Sequence, residues 1–261
     1  MQATVETTHP RPGVALVTLA RPHRLNAVDP PTDHAMGVAL AALEADPRVR
    51  CIVITGAGNK AFCVGADIPT LLPHLRENIA AGRDDPQFCG VTHRNVTTKP
   101  LVAAINGAAM GGGLELALAC DVRIAATNAR FGLPEVRVGI LAGAGGCTRL
   151  PRTVPAALAA EMILTGEPID AQRALQAGLV SRLVAPELLL EQALELAQKI
   201  AAGAPRSVRA CVALLRRPRF EELAGALAEE RRAFAQVLAT DDAMEGIRAF
   251  AEKRAPVYRD A

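Results

Sequence analysis

Two glutamates stand in stretches that are otherwise apolar and rich in glycine. Glu115 follows three consecutive glycines, Gly111 to Gly113, in NGAAMGGGLELALACD (106–121), and its neighbours are Leu114, Leu116, Ala117 and Leu118. A helix starting near Gly112 leaves its first N–H groups without intrahelical partners. Glycine lets a ligand approach that backbone closely, so the segment makes a donor site for an anionic or polarised oxygen. An acid left unpaired among Leu and Ala is costly to ionise, which raises its pKa and favours proton exchange near neutral pH. The same position also suits a glutamate that only complements the helix dipole or makes a core hydrogen bond. Glu135, in FGLPEVRVG (131–139), is the second such acid, and AFCVGAD (61–67) is another glycine-bearing element able to supply a backbone donor. Two acids and two backbone donors suit proton transfer beside an activated carbonyl.

The elements that must position these groups read as follows. VALVTLA (14–20), CIVIT (51–55), LVAAI (101–105) and VRIA (122–125) are short runs rich in β-branched residues, which predicts strands. Asp29 precedes Pro30 and Pro31, an N-cap followed by first-turn prolines, and a helix runs on through Asp46 with Met36, Leu40 and Leu43 on one face. The alternation implies a layered α/β core. From Pro155 the pattern turns helical, over 155–164, 170–177, 186–202, 205–216, 220–239 and 241–253, many of these segments opening on Pro or Asp. The expected organisation is a core over 1–200 carrying the site and a helical region over 201–261. Apolar faces in that region need a partner, which points to a homo-oligomer. The least regular segment, Pro69 to Lys99, reads as a mobile, partly helical flap.

Composition removes several classes of function. A net charge of +2, with 25 arginines and four lysines scattered along 261 residues, offers no basic stripe for nucleic acid. Aromatic residues are 3% of the chain, too few for base-stacking platforms. No secretion signal opens the sequence, and its most apolar window, 101–120, is broken by Asn106 and Glu115, so no membrane span is expected. Six cysteines without CxxC spacing read as reduced thiols of a cytoplasmic protein. The five histidines lack metal-ligand spacing, so no metal is expected.

Six segments, in order, resemble the enoyl-CoA hydratase/isomerase (crotonase) family: ARPHRLNAV (20–28), KAFCVGADI (60–68), KPLVAAINGAAMGGGLELALACD (99–121), FGLPEVRVGILAGAGG (131–146), LTGEPIDAQRALQAGLV (164–180) and AFAEKRAPVYRD (249–260). The resemblance spans nearly the whole chain. It implies a spiral core of repeated ββα units with a helical C-terminal oligomerisation region, assembled as a homotrimer or a pair of trimers. It implies that Ala66 and Gly112 supply the two N–H groups of an oxyanion hole, and that Glu115 and Glu135 are the paired glutamates that hydrate a 2-trans-enoyl-CoA. The acyl-CoA thioester is then the substrate, with no metal or separate cofactor. Arg24 would meet a CoA phosphate, Leu25 and Ala27 the adenine, and Asp67 and Ile68 the same bound thioester. Phe250 and Lys253 would complete the CoA site, often from a neighbouring subunit. On their residue types alone, Arg24 also suits a solvated loop charge and Phe250 a helix-packing anchor. The chain departs from the family pattern at Pro69, where Lys is frequent, at Ala142, where Pro is frequent, and at Cys147-Thr148 in place of Thr-Gln.

Other readings fit less well. GAGNKA (56–61) nearly matches a dinucleotide-binding loop but lacks the following helix and ribose-binding acid. Neither Ser181 nor Ser207 sits in GxSxG. Within the family the alternatives are a Δ3,Δ2-enoyl-CoA isomerase and, more remotely, a non-catalytic RNA-binding or scaffold member, which the balanced charge disfavours.

Overall fold

The computed structural model describes residues 3–83, 88–92, 97–203, 205–221, 223–254 and 256. A hairpin of β1 (Val5–Arg11) and β2 (Val14–Leu19) leads into α1 (Pro30–Ala45). Asp29 caps α1, its side chain accepting from the Thr32 N–H at 2.9 Å, and Pro30 and Pro31 fill positions where a missing N–H costs nothing.

Three ββα turns follow. The first is β3 (Cys51–Gly56), β4 (Ala61–Cys63) and α2 (Ile68–Ala80). The second is β5 (Leu101–Ile105), β6 (Ala108–Met110) and α3 (Gly112–Ala119). The third is β7 (Val122–Ala126), β8 (Arg130–Gly132), a 3₁₀ turn (Pro134–Val138) and α4 (Gly146–Arg149). Then come α5 (Ala156–Thr165), β9 (Ile169–Asp170), α6 (Ala171–Gln176), β10 (Arg182–Val184) and α7 (Leu189–Ala201). The last three helices are α8 (Pro205–Glu221), α9 (Leu223–Leu238) and α10 (Asp241–Ala251).

Each turn of the chain places its first strand in a six-stranded sheet, ordered β1-β2-β3-β5-β7-β10, and its second in a four-stranded sheet, ordered β4-β6-β8-β9. The protein is therefore a spiral of ββα units, in agreement with the fold its sequence implies. The central strands of the larger sheet are parallel and buried on both faces, which is why they read as unbroken apolar runs. Val53, Val102, Ala104 and Ile124 face α7, while Ile52, Ile54, Ala103 and Ile105 face the interior of the spiral, where α3 is entirely buried. Asn106 pins the corner between the layers, its Nδ2 donating to the carbonyls of Gly56 at 2.8 Å and Gly58 at 2.7 Å.

The four strands expected from sequence are present. Strands β4, β6 and β8, three residues each, add a second sheet that no periodicity announced. The segment expected to be a flap opens as α2; its residues 84–87 and 93–96 lie outside the described residues, as do 255 and 257–260 of the C-terminal motif. Several contacts tie the helices after Ala201 to the spiral, among them one ion pair and one apolar cluster. Buried Arg216 of α8 pairs with Asp121, its Nε donating to Oδ1 at 2.8 Å, and also donates to the Lys99 carbonyl at 3.0 Å. An apolar cluster joins Leu72 and Leu75 of α2, Ile140, Phe234 and Leu238 of α9, and Ala243 and Ile247 of α10. Among the described residues, no helix is long and apolar enough to cross a membrane.

Candidate active site

A cavity of about 1140 Å³ lies between the start of α3, the face of α2 and the inner sides of α9 and α10. Its walls include Glu115, Glu135, Ala66, Gly112, Arg24, Leu25, Ala27, Asp67, Ile68 and Phe250. Lys253 is exposed and is not among these lining residues; the adjoining Arg254 is.

Two backbone segments meet at one end of this cavity. Val28 and Ala66 form a parallel bridge in which the Val28 N–H donates to the Gly65 carbonyl and the Asp67 N–H donates to the Val28 carbonyl, both at 2.8 Å. That pattern turns the N–H of Ala66 to the opposite side, away from Val28. Gly112 is the first residue of α3, and the N-cap before it, Gly111, has no side chain with which to cap the helix. The segments touch: a Cβ on Gly65, whose φ is +89°, would stand 2.9 Å from the Gly112 nitrogen. A Cβ on Gly113 would stand 1.9 Å from the Cys63 carbonyl oxygen, so only glycine lets α3 start this close to β4. The ring of Phe88 lies over the same place, with its Cζ 2.7 Å from where a Gly112 Cβ would be.

The glutamates approach this point from two sides. Glu115, in the first turn of α3, is 3% exposed. Its Oε1 accepts from the N–H groups of Ala144 and Gly146, each at 2.8 Å. Of the readings the sequence leaves open, the hydrogen-bonded one is found and the unpaired one is not: the loop before α4 folds back and offers this carboxylate two main-chain donors. Glu135 rides on the 3₁₀ turn after β8, half-buried, with Oε2 shielded from solvent. Its Oε1 would stand 3.1 Å from a Cβ on Gly111, directly beside the start of α3. Gly111 has a φ of +54°, so both backbone conformation and space require glycine there.

At the other end, Leu25 and Asn26 both adopt left-handed backbone, with φ of 53° and 57°. Buried Asn26 holds that turn, its Nδ2 donating to the Ala57 carbonyl at 3.0 Å and the Ala61 carbonyl at 2.9 Å. Arg21, which sequence reasoning passed over, bridges Asp29 at 3.0 Å and Asp67 at 3.1 Å and donates to the Ala27 carbonyl at 2.5 Å. The Asp67 side chain is thus engaged in holding the turn that presents Arg24, Leu25 and Ala27. Burial alone would raise the Asp29 carboxyl, but the Thr32 hydroxyl and N–H and the Arg21 guanidinium outweigh it and hold it below its ordinary value. Burial pushes the Cys63 thiol, behind the start of α3, up to about 12, so it stays protonated at neutral pH.

The arrangement can polarise a carbonyl oxygen with two main-chain N–H groups while two carboxylates exchange protons at the adjoining carbons. Known proteins similar to this chain were found by sequence and by shape. Residues 10–261 match the family model described as enoyl-CoA hydratase/isomerase. The chain is 42% identical to the (E)-benzylidenesuccinyl-CoA hydratase of Thauera aromatica over 261 residues, covering all of both chains. It is 40% identical to the short-chain-enoyl-CoA hydratase of Clostridium acetobutylicum, covering 92% of each. Its fold superposes on the crystal structure of a carnitinyl-CoA hydratase from Mycobacterium avium with a TM-score of 0.87, at 39% identity and full coverage of both chains.

Proposed function

The chain belongs to the enoyl-CoA hydratase/isomerase family and is a hydro-lyase of that family; from that premise we propose that it adds water across the double bond of a 2-trans-enoyl-CoA to give the 3-hydroxyacyl-CoA. The observation that carries this reading is the meeting of Glu115 and Glu135 in one cavity with Ala66 and Gly112. The thioester oxygen sits between the N–H groups of Ala66 and Gly112, which stabilise the enolate-like charge that develops there. One such donor is worth about 3–4 kcal/mol in the transition state. A water held between the carboxylates loses a proton toward Glu115 as its oxygen bonds to C3, and Glu135 delivers a proton to C2. The two acids then re-equilibrate as a coupled pair.

The CoA moiety runs past the Arg21-braced turn, with Arg24 on a phosphate, Leu25 and Ala27 against the adenine, and Asp67 and Ile68 along the pantetheine arm. Phe250 closes the cavity from α10. Lys253, outside the lining of this cavity, serves the corresponding site of a neighbouring copy in a homotrimer or a pair of trimers. Leu164, 74% exposed, and Leu215, 69% exposed, supply apolar surface for such contacts. No metal or separate cofactor takes part, and the protein works in the cytoplasm on acyl-CoA intermediates of fatty-acid or related metabolism.

The test is a panel of 2-enoyl-CoA thioesters of differing length and branching, followed by the loss of the conjugated double-bond absorbance, beside their 3-enoyl isomers. Hydration of at least one 2-enoyl thioester is expected. A protein that only moves the double bond of the 3-enoyl compounds, hydrating none, refutes the proposal.

A further inference from the structure

Beyond the two glutamates and the two N–H groups, one buried guanidinium touches both halves of the site. Arg149, the last residue of α4, is 3% exposed. Its Nη1 donates to the carbonyl of Ala144 at 3.2 Å, and its Nη2 donates to the carbonyl of Thr92. Ala144 is the residue whose N–H holds Glu115 Oε1. Thr92 is the residue whose Oγ1 accepts from the Phe88 N–H at 2.9 Å, and the Phe88 ring covers Gly112. The contacts therefore close a loop from Glu115 through Ala144, Arg149, Thr92 and Phe88 to Gly112, and from Gly112 along the first turn of α3 back to Glu115. Space for the guanidinium is built in, since a Cβ on Gly145 would stand 1.8 Å from Nη1. Arginine suits this place because its planar fork can donate to two carbonyls at once while its charge never titrates.

We propose that Arg149 is a positioning residue that couples the Glu115 carboxylate to the cover of the oxyanion hole, so that the carboxylate and the polarised carbonyl stay in register through the reaction. This rests on the hydratase reading for its kinetic consequence, but not for its geometric one. Removing the fork frees the 144–146 loop and the 88–92 turn independently, and neither thioester binding nor the identity of the reacting groups changes.

The experiment uses the full chain and compares Arg149→Gln, Arg149→Lys, Thr92→Val and the Gln/Val double variant with the parent. Each is assayed for kcat and KM on a hydrated 2-enoyl-CoA, and for the ¹³C shift of the thioester carbonyl of bound butyryl-CoA, which cannot react. For Arg149→Gln, kcat is expected to fall about 10²-fold with KM within about threefold of the parent, since small misplacements cost that much. The carbonyl shift should move toward that of the free thioester. Arg149→Lys, which keeps one donor, should fall between parent and Gln. The double variant should lose little more than Arg149→Gln, because both changes break the same loop of contacts. A parental carbonyl shift in Arg149→Gln, or losses that add in the double variant, would overturn the proposal. If Arg149→Gln does not fold, Thr92→Val decides: parental kcat and parental carbonyl shift in that variant overturn it. A parent that shifts the bound carbonyl yet hydrates nothing refutes the hydratase reading alone, and the carbonyl shifts of the variants then judge Arg149. A parent that binds no thioester refutes both.

Discussion

The two glutamates are the same residue type, twenty positions apart, yet different parts of the molecule support them. Glu115 is fixed at its carboxylate, by two main-chain N–H groups of the 144–146 loop, inside a helix buried on every side. Glu135 rides on a turn that is packed on two sides. Its 3₁₀ turn is wedged between the end of α5, where Arg137 Nε donates to the Thr165 carbonyl at 2.9 Å, and the start of α10, where a Cβ on Gly139 would stand 2.8 Å from the Asp242 carbonyl oxygen. The loop before α4 thus holds one acid at its carboxylate, while α5 and α10 support the turn that carries the other.

The largest effect should come from removing either acid. Glu115→Gln and Glu135→Gln should each lower kcat by about 10²–10⁴-fold, the range expected of a general acid or base, with thioester binding retained in calorimetry. If one of the two left turnover near the parent's, the pairing itself would be wrong. The next pair separates the two modes of fixation. In Gly146→Ala the new methyl would stand 2.9 Å from Glu115 Oε1 and 2.7 Å from the Ala142 Cβ, so kcat should fall about 10²-fold through misplacement of the carboxylate. In Gly139→Ala the added Cβ and the φ of +77° strain the turn that carries Glu135 without touching its carboxylate, so the loss of kcat should be about tenfold, with stability reduced by about 1–3 kcal/mol. Equal kinetic losses in steady-state assays would erase the distinction drawn here.

The smallest effect concerns the turn that presents the CoA-side residues. Asp29 is held below its ordinary value of 3.8 in the folded chain. A depressed carboxyl contributes stability above the unfolded value and loses it as pH falls through the folded one. Asp29→Asn keeps a competent cap but not the charge beside Arg21. It should cost under about 1 kcal/mol at pH 7, and its gap to the parent in urea midpoints should close as pH drops below about 4. A gap that widened in acid would contradict this account.

Sequence reading went furthest where apolar patterning was long. The strand runs at 14–20, 51–55, 101–105 and 122–125 emerge as β2, β3, β5 and β7 because buried parallel strands carry unbroken β-branched stretches. Strands such as AFC, AAM and RFG are too short to show any period, so the four-stranded sheet left no local trace. The acids stood out because each interrupts apolar sequence. What holds them did not, because Ala144 and Gly146 act through main-chain N–H groups that every residue but proline carries. Arg21 and Arg149 were equally hidden: each is one of 25 arginines, and only the fold shows which guanidiniums are buried between distant segments. Phe88 over Gly112 is a contact across 24 positions with no pattern to announce it.

The walls of the cavity come from Arg24 at one extreme of the chain and from Phe250 and Pro256 at the other. During synthesis, the acids and the main-chain donors are on the growing polypeptide long before Ala228, Phe234 and Phe250, which roof them over. The cavity is therefore closed over only when α9 and α10 dock, after the residues of its floor have already been made.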